Sequence, residues 1–189
     1  EETQLRRGVN AAGDSSFEKS SPAQQAGILY AAAMSASQLR EFEQARGLAA
    51  QLVARGSGHA SAARLARLLS AEIELAAGTP ARATQWIDVK AKERPEQFQA
   101  AQWAVASRQS AAQLGPIVQG LRDRVARDPQ DAGAWRLLST LYNAQNEPLR
   151  AIRAEAEANV AVLDYPAARD RFKAAQDLAR QMAEGKPGL

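Results

Sequence analysis

The chain contains no cysteine and one histidine, His59. The first absence rules out a disulfide framework and a thiolate metal site, and is compatible with any cellular compartment. The second leaves too few ligands for a usual zinc centre, so no metal or other cofactor is expected. His59 follows Gly56-Ser-Gly and reads as a helix-start or surface residue. No glycine-rich loop leading into Lys-Ser/Thr is present to cradle phosphate. No apolar run reaches the length of a membrane span. Period-two runs of β-branched residues are also missing, so no sheet is expected. Nor do the residues supply a nucleophile with its base or a catalytic carboxylate pair, and the chain is expected not to be an enzyme. The Glu155 and Glu157 carboxylates lie near Arg150 and Arg153 on one helix, where ion pairs at helical spacing account for them. The formal charge is +3, but the arginines are scattered among acidic residues. That pattern suits solvated helix faces better than a nucleic-acid surface, which needs clustered cations with stacking aromatics.

What the chain does have is concentrated between Pro129 and Ala151. There Trp135, Leu138, Ser139 and Tyr142 precede a break at Asn146-Glu147-Pro148, and Ala151 follows. This is the tetratricopeptide (TPR) signature, two antiparallel helices in a unit of about 34 residues. Its large first-helix side chains pack around a small residue of the second, where a bulky one would force the helices apart. Stepping back by the repeat places Ile117 and Ala83 at the same position as Ala151, and Pro129 and Pro95 before successive helix starts. A second echo is Phe42-x-x-Ala45, Pro80-x-x-Ala83, Pro148-x-x-Ala151 and Tyr165-x-x-Ala168. The expected fold is therefore all-α, a TPR-like superhelix of about four to five helix pairs.

Residues 1–21 read as the end of an upstream helix plus a loop over 11–21, residues 22–183 as the helical array, and 184–189 as a tail. No signal peptide is visible and the first residue is Glu1, not Met, as expected of a processed chain or a fragment. Helices are expected over 22–38, where Ser21-Pro22 makes a strong start, and over 40–55, 60–77 and 80–93. Further helices are expected over 96–110, 113–127, 131–145, 147–163 and 166–183. Leu65, Leu68, Leu69, Ile73 and Ala76 form one broad apolar face of the third of these, and Pro116 should fall in a first turn or bend its helix.

TPR superhelices line their concave face with the first helix of each pair. In this register the face comprises Tyr30 and Met34, then Leu68, Glu72 and Leu75, then Gln99, Gln102 and Gln109, and finally Arg136, Thr140 and Asn143. Amides, an arginine, an aromatic and a methionine suit an extended peptide or unfolded protein segment. Core packing explains Tyr30, Met34, Leu68 and Leu75 as well, and plain solvation explains Arg136 and Asn143. The matched Lys and Asn array that clamps C-terminal carboxylates is absent.

The run Trp135-Arg-Leu-Leu-Ser-Thr-Leu-Tyr142, continued by Leu163-Asp-Tyr-Pro-Ala-Ala-Arg-Asp-Arg-Phe172, resembles the C-terminal TPR half of BepA-like periplasmic zinc metalloproteases. The likeness is strongest over 129–181 and weaker over 22–95. It implies a periplasmic, envelope location and a role in quality control or assembly of outer-membrane proteins. The repeats would bind clients or the assembly machinery, and an N-terminal HExxH peptidase domain would cut. That HExxH is not in this chain, so no catalytic residue carries over. The alternative is a free-standing TPR adaptor or scaffold in envelope assembly or secretion. Absence of cysteine leaves the cytoplasm open as well.

Overall fold

The computed structural model describes residues 1–185, and every regular element among them is helical. The chain divides into two compact units, residues 1–87 and residues 88 onward. The first holds α1 (Glu2–Asn10), α2 (Pro22–Gln38), α3 (Phe42–Gly56), α4 (Ala60–Ala76) and the short α5 (Pro80–Ala83). The second holds α6 (Arg94–Ala106), α7 (Ala111–Arg127), α8 (Ala132–Ala144), α9 (Pro148–Ala161) and α10 (Tyr165–Ala183).

Local chemistry sets the starts. At α2 the Ser21 N–H donates to Gln24 Oε1 at 2.9 Å while Ser21 Oγ accepts from the Gln24 N–H, a reciprocal cap, with Pro22 at the first helical position. Asp131 and Asp164 cap α8 and α10 by accepting from the Ala134 and Ala167 N–H groups, each at 3.1 Å.

Among the described residues, five helices end in one way. A left-handed residue follows the last turn: Arg40, Gly78, Arg108, Asn146 and Leu163, with φ between 51° and 72°. The next residue's N–H then reaches the carbonyl five back, as from Glu41 to Ala36 at 2.9 Å and from Glu147 to Tyr142 at 2.8 Å. This Schellman geometry satisfies orphan carbonyls and reverses the chain within two or three residues. Only Gly78 is a glycine, so the other four hold a conformation that costs an ordinary residue roughly 1 kcal/mol or more. Arg40 and Arg108 are 68 residues apart, as are Gly78 and Asn146, twice the expected repeat.

The alanines of the second echo are the fourth residues of α3, α5, α9 and α10, and all four are buried. Ala45 and Ala83 are fully covered, which lets each second helix approach its partner closely. Packing also runs beyond the hairpins: α2 meets α4 as well as α1 and α3, and α8 meets α6 as well as α7 and α9.

Several expectations are corrected. The helix over 80–93 stops early: α5 passes into a 3₁₀ turn at Thr84–Trp86, and Ile87 is extended. Asp88 Oδ1 accepts from the Lys90 N–H at 2.9 Å, a local bond that competes with helix, beside the poor helix formers Ile87 and Val89. The helix from 40 begins instead at Phe42, since Arg40 is left-handed. The helix expected over 96–110 ends at Ala106 for the same reason at Arg108. Leu114, not Ile117, is the fourth residue of α7, and Pro116 is the sixth, beyond the first turn. On α4, Leu65 and Ala76 are exposed, and the covered face is Ala66, Leu69, Ser70, Ala71, Ile73 and Glu74.

The stretch expected as a loop over 11–21 contains a 3₁₀ turn and the buried Phe17, which joins the first unit's core with Val9 of α1. Of the expected tail, Glu184 and Gly185 form a turn, and 186–189 lie outside the described residues.

Candidate functional site

The three residues assigned to α8 come together. Arg136, Thr140 and Asn143 recur at helical spacing on one exposed face, while Ala134, Leu138, Leu141 and Tyr142 are buried on the other. Thr140 Oγ1 donates to the Arg136 carbonyl at 3.1 Å. The Arg136 guanidinium makes no ion pair among the described residues. Elsewhere the assigned residues divide between core and surface. Tyr30 and Met34 pack against the buried cluster of the first unit. Leu68 and Leu75 are half-buried and Glu72 is exposed. On α6, Gln102 is exposed and Gln99 half-buried. Gln109 is not on a helix at all; it lies in the turn after α6 and donates to Ser107 Oγ at 3.0 Å.

Each unit also carries a groove. In the first unit a groove of about 350 Å³ runs between α3 and α4, closed by the 3₁₀ turn that carries Trp86. Glu74 sits at its end with a side chain only 7% exposed. Its carboxylate accepts from Arg46 Nε at 3.0 Å, Arg46 Nη2 at 2.8 Å and Thr79 Oγ1 at 2.6 Å, with Arg82 Nε at 3.4 Å. The Arg46 hydrogen bonds hold the Glu74 carboxyl below its ordinary range, overcoming the opposing effect of burial.

The second unit has its groove, about 420 Å³, between α7, α8 and α9. Val125, Leu138, Trp135 and Tyr142 line it together with three guanidiniums, Arg122, Arg150 and Arg153. Arg150 lies over the Tyr142 ring, 5.9 Å from its centre. The Trp135 indole N–H donates to the Pro129 carbonyl at 3.0 Å, which fixes the ring at the groove's edge.

Sequence reasoning missed the buried polar groups. Asp131 caps α8 and also receives Arg94 of α6 bidentately, at 2.8 and 3.0 Å. That guanidinium keeps the Asp131 carboxyl below the usual range. Gln97 donates to the Gly120 carbonyl at 3.2 Å and accepts from Arg124 Nε at 2.6 Å. The partner of Asp131 is 37 residues away and leaves no local trace. The acidic pair on α9 also resolves differently: Glu157 is 3.8 Å from Arg153, but Glu155 reaches Arg171 of α10 at 3.3 Å, and Arg150 pairs with Glu147 at 2.8 Å.

His59 is exposed at the start of α4. No group of three or more His, Asp or Glu side chains among the described residues is placed to hold a metal ion. No described helix is long and apolar enough to cross a membrane. No protein-family model matches the chain, and no curated protein matches it.

Proposed function

We propose that the chain is a TPR-like protein-interaction domain that holds extended segments of other proteins and performs no chemistry itself. The observation that carries this reading is the face of α8. Arg136, Thr140 and Asn143 stand exposed in a row on a helix whose other side is buried. Such a row offers an extended chain one polar side chain per turn, with a guanidinium able to bond its carbonyls and carboxylates. The resemblance over 129–181 supports a more particular role, as the client- or machinery-binding half of an envelope zinc metalloprotease with outer-membrane proteins among its clients.

Arg136→Glu combined with Asn143→Ala tests the face. Both side chains are exposed, so circular dichroism should be unchanged, while capture of a denatured outer-membrane protein should weaken by about 1–3 kcal/mol per charged contact buried on binding. Full binding by this variant would show that α8 presents no working surface. An HExxH sequence upstream in the same reading frame would support the protease, and a frame without one would leave the adaptor.

A further inference from the structure

The two grooves are equivalent places in the repeat, and their differences point to a ligand. Val53 and Ala54 of α3 recur 72 residues on as Val125 and Ala126 of α7, in the same places on the two floors. Arg82 recurs 68 residues on as Arg150, and Glu74 recurs as Tyr142. The contacts agree with that alignment: Arg82 approaches Glu74 in the first unit, and Arg150 lies over Tyr142 in the second.

The first groove supplies its own anion. It is lined by Arg46 and Arg82 with the Glu74 carboxylate between them. In the second, Val118 stands at the place of Arg46 and Tyr142 at that of Glu74, so both members of the central pair are gone. Arg122 and Arg153 meanwhile replace the neutral Ala50 and Gln85. The lining therefore carries three arginines and no carboxylate. Glu147 and Glu157 pair with Arg150 and Arg153 from outside the groove. Arg122 makes only a long hydrogen bond to Gln119, at 3.4 Å, and no ion pair among the described residues.

We infer that the groove between α7, α8 and α9 binds an acidic side chain of a partner protein's extended segment, next to an aromatic residue of that segment. The carboxylate would sit among Arg122, Arg150 and Arg153, as the Glu74 carboxylate sits between arginines in the first unit. A side chain, rather than a chain terminus, is the source because the anion met in the first groove by Arg82, the counterpart of Arg150, is itself a side chain, that of Glu74. The aromatic neighbour would lie against the half-buried Trp135 ring and the exposed Ala126, over a floor already closed by Val125 and Leu138, where apolar area is lost from water. A groove of about 420 Å³ has room for both groups. This site lies on another face of α8 from Arg136 and Asn143, so it stands or falls separately from them.

The experiment uses the full chain and fluorescent peptides capped at both ends, read by anisotropy at low and physiological salt. One peptide carries a glutamate beside a phenylalanine, a second has glutamine in place of the glutamate, and a third keeps the phenylalanine but offers only a free C-terminal carboxylate. The first should bind best, and added salt should weaken it. Changing its glutamate to glutamine, or making the exposed Arg122→Gln or Arg153→Gln change in the protein, should each cost about tenfold or more in affinity. Equal binding of the glutamine peptide, preference for the free terminus, indifference to both groove variants, or no binding at millimolar peptide would each overturn the assignment.

Discussion

Glu74→Gln should destabilise the first unit by about 2–3 kcal/mol, because it keeps the shape of the side chain and removes its charge. The carboxylate takes two hydrogen bonds from Arg46 and one from Thr79. Charged hydrogen bonds stabilise by about 1.5–3 kcal/mol and neutral ones by about 1, so downgrading the Arg46 pair loses roughly 2 kcal/mol before the weaker attraction to Arg82 is counted. Arg46 is 16% exposed and also reaches Glu43 at 2.6 Å, which keeps the loss below the ~3–5 kcal/mol of a wholly stranded buried charge.

Native-state amide exchange at α3 and α4 would read this local free energy. A double-mutant cycle with Arg46→Gln should return a coupling of about 1.5–3 kcal/mol. The pH dependence has a definite sign. The folded carboxyl titrates below its ordinary value of 4.5. Its stabilisation is thus complete above that pH and is lost as pH falls through the lower, folded value. Glu74→Gln should accordingly show a shallower loss of stability below about pH 4.5 than the wild type. A coupling under ~0.5 kcal/mol with unchanged acid slopes would refute the reasoning and make the pair no stronger than a surface contact.

Ala151→Trp should lower stability by about 1–3 kcal/mol or more, because Ala151 is 2% exposed and α9 packs closely on α8; an unchanged melting temperature would contradict that packing. Leu163→Gly should raise stability by about 1 kcal/mol in urea unfolding, since Leu163 is 70% exposed and holds φ at 63°. A loss there would mean that the leucine side chain is worth more than its backbone strain.

The parts of the fold that were legible in the sequence are those written in near neighbours. Ser21-Pro22 announced its own cap, and the spacing from Phe42, Pro80, Pro148 and Tyr165 to an alanine marked the close approach of each second helix. What failed depended on distance or on backbone sign. Nothing beside Arg40 or Arg108 marks a left-handed residue in the way glycine marks Gly78, so the expected start of α3 falls too early, the expected end of α6 too late, and Gln109 on a helix it has already left. Periodicity could not separate Leu65, which is exposed, from Leu69, which is covered, because both belong to one apolar run. Glu74 was passed over in favour of its exposed neighbour Glu72, since the arginine that makes its burial tolerable is 28 residues away. Of the proposed concave surface, the α8 residues lie on one face, whereas Tyr30 and Met34 are half-buried and pack against the first unit's core.

The double duty of Asp131 bears on how the second unit comes apart. In an array of repeats, stability divides into a term for each repeat and a term for each junction, and weak junctions let repeats fray one at a time. Asp131 does not respect that division: the carboxylate that starts α8 is the one that anchors Arg94 at the head of α6. Uncapping the later helix therefore releases the earlier one, and peeling α6 away loosens the first turn of α8. Fraying from either side would be resisted by the same two oxygens, which joins the two pairs into one unfolding event.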